Sequence, residues 1–187
     1  MNNSEVMNLD QYQTLAVKTL KKDDYVRTLL HCVMGMVGEA GELIQLHHTN
    51  TEERIGEVGD CMWYAACLAY TLDLKFDIVM VAAKMYRPDK CIADVQLLIH
   101  GCAMTDLLKK TVFYGKTLDT GALTAMLHKY VNGLQRVCWN LGFAPLSVAK
   151  INIKKLEARY GGGAFDAEKA IARDYAAESL AAGIKIV

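Results

Sequence analysis

Two pairs of acidic residues set at a spacing of three, Glu39/Glu42 and Glu57/Asp60, constrain this chain more than any other feature. Each pair stands in a glycine-containing stretch, Gly38-Glu39-Ala40-Gly41-Glu42-Leu43 and Gly56-Glu57-Val58-Gly59-Asp60, flanked by Val37, Ile55 and Met62. In a helix that spacing puts both members of a pair on one face, about one turn apart. Two such helices laid antiparallel aim four acids at one spot between apolar flanks. Carboxylates clustered there repel one another and are costly to desolvate, so a positive species is required. Oxygen ligands without Cys or His at matching spacing favour Mg²⁺ or Mn²⁺. The expectation is an all-α helical bundle built around a metal-binding acid cluster.

Composition agrees with that expectation. A chain of 187 residues suits a single all-α domain over 1–187, and 52% hydrophobic content with two prolines favours long helices. Basic and acidic residues balance at 21 each, so no general pull toward nucleic acid follows and a small-molecule partner is easier to defend. The six cysteines, at 32, 61, 67, 91, 102 and 138, form no CxxC pair. They read as reduced thiols in a cytoplasm rather than as zinc ligands. The first residues lack a signal pattern, and the apolar run Cys61 to Leu72 falls short of the ~20 residues a membrane span needs.

Periodicity and capping residues place helices at Leu9–Lys21, Asp24–His48, Thr51–Leu72 and Phe76–Tyr86, the last ended by Arg87-Pro88-Asp89. Further helices fit Cys91–Tyr114, Gly121–Leu141, Pro145–Tyr160 and Asp166–Ala182. The second half reads as a degenerate repeat of the first, giving a covalent pseudo-dimer: residues 8–90 keep the acids, and 91–182 have lost them. His100 and Ala103 stand opposite Glu39 and Glu42, and Met126 and Lys129 opposite Glu57 and Asp60. Gly115-Lys116-Thr117 imitates the end of a phosphate loop, but Lys110 occupies the required earlier glycine position and no strand precedes it. Arg173 and Asp174 read as pairing with neighbours or with a partner chain.

The acid pairs, the 14 residues between them, the following Cys61-Met62-Trp63-Tyr64 and the opening Leu9-Asp10-Gln11-Tyr12-Gln13 resemble the MazG-like all-α nucleoside triphosphate pyrophosphohydrolases of bacteria and phages. The closing Asn152-Ile153-Lys154-Lys155-Leu156 with Arg159-Tyr160 is similar to that family's C-terminal segment, so the resemblance covers about residues 8 to 175. It implies hydrolysis of a nucleoside triphosphate to monophosphate and pyrophosphate. Two or three Mg²⁺ ions, replaceable by Mn²⁺, would sit on Glu39, Glu42, Glu57 and Asp60, with Glu39 or Glu42 as general base. Asn152, Lys155 and Arg159 would grip phosphates, while Trp63, Tyr12 and Gln13 read first as core residues, with lining of the base pocket as the alternative. It also implies a homo-oligomer in a bacterial or phage-infected cytoplasm and leans to a deoxynucleotide such as dGTP. The chain departs from the family in keeping the acids in one half and the closing segment in the other, which suggests one composite site.

Three rival readings use parts of the same pattern. A di-iron bundle requires Glu-x-x-His pairs, and no Glu here has a His three residues later. A phosphoribosyl-ATP pyrophosphatase would use the same metal chemistry on another substrate. A helical nucleotide-binding or scaffold protein would keep the fold without turnover.

Overall fold

In the computed structural model, residues 7–85 and 92–183 are described. Nine α-helices and no strand make up these residues, so the all-α class stands. The segment 86–91, which contains the expected stop at Arg87-Pro88-Asp89, the boundary between the two expected repeats and Cys91, lies outside the described residues. So do the first six residues and the apolar tail from Ile184.

Four long helices form the centre: α2 (Tyr25–Gln45), α3 (Thr51–Thr71), α5 (Ala93–Tyr114) and α6 (Thr120–Asn140). Helix α2 packs on α3 and α5, and α6 closes the ring by packing on α5 and α3. Helix α3 is the most enclosed, with Val58, Cys61, Met62, Ala65, Ala66, Leu68 and Ala69 buried, as expected from its apolar second half. Asp24, Asn50 and Asp119 cap the starts of α2, α3 and α6, each side chain accepting from a backbone N–H three residues on. Gly115, in the left-handed conformation at φ 66°, ends α5.

Around this ring stand α1 (Leu9–Lys18), α4 (Phe76–Ala83) and α7 (Pro145–Tyr160). A reciprocal cap between Asn8 and Gln11 starts α1, and Pro145 occupies the first turn of α7. Helix α4 has no cap of its own at Lys75, and borrows both ends. Gln13 Oε1 accepts from Phe76 N at 3.1 Å and Asp10 Oδ1 from Asp77 N at 3.3 Å. At the other end Gln135 Nε2 donates to Met80 O at 2.6 Å and Asn132 Nδ2 to Ala83 O at 3.0 Å. Orphan groups at helix ends are thereby satisfied from other helices.

One expected element is two. The single helix foreseen over Asp166–Ala182 is α8 (Ala167–Ile171) and α9 (Tyr175–Ala182). Asp174 does not continue a helix; its side chain accepts from Ala177 N and starts α9 afresh. Among the described residues no helix is long and apolar enough to cross a membrane.

Candidate metal and anion site

Helices α2 and α3 bring Glu39, Glu42 and Glu57 together, with one carboxylate oxygen from each lying within 4.8 Å of the others. Glu39 and Glu57 are half-buried and Glu42 is exposed, so the cluster lies at the mouth of a cleft rather than inside the core. Burial, then the charge of Asp60, then a hydrogen bond to Glu57 and the charges of Glu57 and Glu42, push the Glu39 carboxyl up to about 9. Glu57 is raised as well, chiefly by burial and Asp60, with Lys155 opposing. Both shifts run in the direction of carboxyls that retain a proton, the charge a bound divalent cation would replace. The donor set is oxygen only, which fits a hard cation.

Asp60 stands outside that converging trio. Asn152 Nδ2 donates to its Oδ1 at 3.0 Å, and the Lys155 ammonium is ion-paired with its Oδ2. Tyr12, fully buried, donates from its hydroxyl to Asn152 Oδ1 at 3.0 Å and so fixes which way the amide faces. Helix α7 reaches Asp60 because Gly59 has no side chain: a Cβ there would lie 3.1 Å from Asn152 Cβ. Gly38 and Gly41, beside the first acid pair, face open space and play no such part.

A second hollow, of about 230 Å³, adjoins the cleft and shares Glu39 and Asp60 with it. Its walls are aromatic. Trp63 lies edge-on to Tyr64 with ring centres 4.7 Å apart, and His31 is edge-on to Tyr64 at 5.6 Å. Trp63 Nε1 donates to Thr19 Oγ1 at 2.9 Å and to Ala16 O at 3.1 Å, which holds the indole against α1. Across the hollow stand Tyr160 and Phe165. Phe165 is held there by its backbone, whose N–H donates to Lys18 O at 3.0 Å.

The residues singled out from sequence therefore divide. Glu39, Glu42, Glu57, Asp60, Lys155 and Arg159 line the cleft or the hollow, and Trp63 lines the hollow while its indole N–H is spent on α1. Asn152 and Tyr12 stand behind Asp60 as a buried relay. Gln13 is a correction: its amide is used up on Ala66 O, Leu74 O and Phe76 N, so it caps α4 instead of facing a ligand. Arg159 is engaged within the chain. It forms a two-point pair with Glu178, a residue that sequence reading did not single out. His47 Nδ1 lies 2.7 Å from Thr49 Oγ1 at the end of α2, away from the acid trio. The cysteines at 32, 61, 67 and 138 are buried free thiols and Cys102 is exposed; burial pushes Cys32 and Cys138 up to about 12.

Fold and site together define an all-α protein with an oxygen-only, cation-competent carboxylate cleft beside an aromatic hollow. No family model, curated protein or solved structure matches the chain.

Proposed function

We propose that the chain is a Mg²⁺-dependent (deoxy)nucleoside triphosphate pyrophosphohydrolase, converting a triphosphate and water to monophosphate and pyrophosphate. The convergence of Glu39, Glu42 and Glu57 beside an aromatic-walled hollow is the observation that supports it. A planar base suits edge and face contacts with Trp63, Tyr64 and Phe165, and the acid cleft next to it suits a metal-bound phosphate chain. The trio, with Asp60 beside it, would hold two or three Mg²⁺ ions, or Mn²⁺. Bound there, the cations supply neutralisation of phosphate charge and a more acidic water.

The chain's own residues do the rest in this reading. Glu39 or Glu42 takes the proton from the water that attacks the α phosphorus, which breaks the bond to the bridging oxygen and releases pyrophosphate. Lys155 neutralises Asp60 until phosphate arrives, and Asn152, oriented by Tyr12, keeps the Asp60 carboxylate aimed into the cleft. The sugar and base preference follows the resemblance to MazG-like enzymes, with a lean to dGTP. A cytoplasmic setting and association of copies belong to the same reading; the buried free thiols suit a reducing compartment.

The test is pyrophosphate release from a panel of ribo- and deoxynucleoside triphosphates with Mg²⁺, Mn²⁺ or EDTA. Metal-dependent release from one or two of them, lost in Glu39→Gln with the fold intact, is the expected outcome. Wild-type turnover in Glu39→Gln removes the metal assignment. Silence across the panel leaves phosphoribosyl-ATP hydrolysis or binding without turnover.

A further inference from the structure

Helix α9 borders the acid cleft, packs along α7 and buries one charge, Glu178. Only Glu178 and Ala182 of its eight residues are buried, while Tyr175 and Leu180 are exposed. Glu178 is 2% exposed and accepts three hydrogen bonds. Arg159 Nε and Nη2 donate to its two oxygens at 2.7 and 2.6 Å, and Arg173 Nη2 donates to Oε2 at 3.0 Å. Burial alone would raise the Glu178 carboxyl, but the two guanidiniums outweigh it and hold it below the ordinary range.

Two arginines share the one Glu178 carboxylate. They also leave a donor unused: Arg173 Nε is buried and has no acceptor among the described residues. A buried donor without an acceptor is unfavourable, and an acceptor arriving from outside would satisfy it. Both arginines line the hollow that holds Glu39 and Asp60, and Arg173 and Glu178 line the acid cleft itself. The Glu178 carboxylate therefore sits where the phosphate end of a ligand in the cleft would meet the arginines.

We propose that Arg159 and Arg173 form a phosphate-binding pair whose in-chain occupant is Glu178, and that an incoming polyphosphate takes its place and loosens α9. A phosphate presents three oxygens to the pair where a carboxylate presents two, so it can serve the two-point contact on Arg159 and the unused Nε of Arg173 together. Once exchanged, Glu178 has no buried partner, and α9 keeps only Ala182 as an enclosed anchor. The exchange makes α9 a gate that opens as phosphate binds. The identity of the ligand as a triphosphate rests on the proposed hydrolase reading; the anion pair itself does not.

The experiment uses the full chain with tripolyphosphate as probe, in EDTA, so that neither metal nor turnover enters. Calorimetric affinity is expected to tighten about tenfold in Glu178→Gln, which removes the internal competitor, and to weaken about tenfold in Arg173→Gln. In the wild-type chain, amide exchange over residues 175–183 is expected to speed up when tripolyphosphate binds. This third arm decides the matter if a variant does not fold. Unchanged or weaker affinity in folded Glu178→Gln, no loss in folded Arg173→Gln, no binding by either wild type or Glu178→Gln, or unchanged or slower exchange in α9 each overturns the proposal. A silent nucleotide panel with these results intact would sink the hydrolase reading alone.

Discussion

Asn152 and Asp60, 92 positions apart in the chain, are joined by a 3.0 Å hydrogen bond from Nδ2 to Oδ1, and Tyr12 holds the other side of the same amide. Three elements, α1, α3 and α7, thus meet at one carboxylate. Tyr12→Phe deletes the donor to Asn152 Oδ1 and leaves that buried oxygen without its hydroxyl. The expected loss of stability is about 1–2 kcal/mol in urea unfolding. Asn152→Ala removes both bonds and should cost more. If the amide only filled space, Asn152→Leu would match wild type.

Helix α7 approaches α3 at Gly59, where an added Cβ would meet Asn152 Cβ at 3.1 Å and Nδ2 at 3.3 Å. Gly59→Ala must push the amide off Asp60 or the helices apart, and should destabilise by about 1–3 kcal/mol. Gly38→Ala and Gly41→Ala meet nothing within 4 Å in mid-helix, so each should stabilise by about 0.5–1 kcal/mol. Denaturant midpoints of the three variants check the contrast. Equal signs at all three positions would mean that α3 and α7 are not in close contact.

The helices and the acid trio were legible in the sequence because both depend on short-range rules. Apolar periodicity, the caps Asp24, Asn50 and Asp119, and the spacing of three in Glu39/Glu42 are all local. What escaped is long-range. Gln13 reads like a polar residue for a ligand, and its use as a cap for α4 depends on contacts 53 to 63 positions away. The restart at Asp174 has no proline or glycine to announce it. Glu178 stands 19 residues from Arg159, across the turn at Gly161-Gly162-Gly163, and no helical spacing links them. Both acid-pair stretches carry glycines, and only the packing tells Gly59, which meets Asn152, from Gly41, which meets nothing.

The acid trio gives stability a pH slope of definite sign. Glu39 is raised to about 9 from an ordinary value of 4.5, so the folded chain binds more protons than the unfolded one across that window. Stability from this group is full below the ordinary carboxylate range and is lost as pH rises through about 9. Thermal unfolding in EDTA should therefore show a falling Tm from about pH 5 to about pH 9, with a shallower slope in Glu39→Gln. Mg²⁺ should raise Tm more at the alkaline end, where the proton it displaces is already leaving. A Tm that climbs over this range in EDTA, with a slope unchanged in Glu39→Gln, would show that the trio does not share a buried proton.

Arg54 and Asp94 form a buried ion pair at 2.6 Å, 4% and 6% exposed, and the same guanidinium donates to Leu43 O at 3.2 Å and Leu46 O at 3.5 Å. It therefore ties the C-terminal carbonyls of α2 to the start of α5. Removing one partner strands the other charge away from water. Arg54→Met should cost about 3–5 kcal/mol, and Asp94→Leu a similar amount. The double variant Arg54→Met/Asp94→Leu should recover much of that loss, because an apolar pair of similar size avoids desolvating two ions. It would still leave the α2 carbonyls without their donor, so recovery should stop short of wild type by about 1–2 kcal/mol. A double-mutant cycle from urea melts measures this directly. Additive losses would mean that the two side chains act independently, and full recovery would mean that the carbonyl contacts contribute nothing to stability.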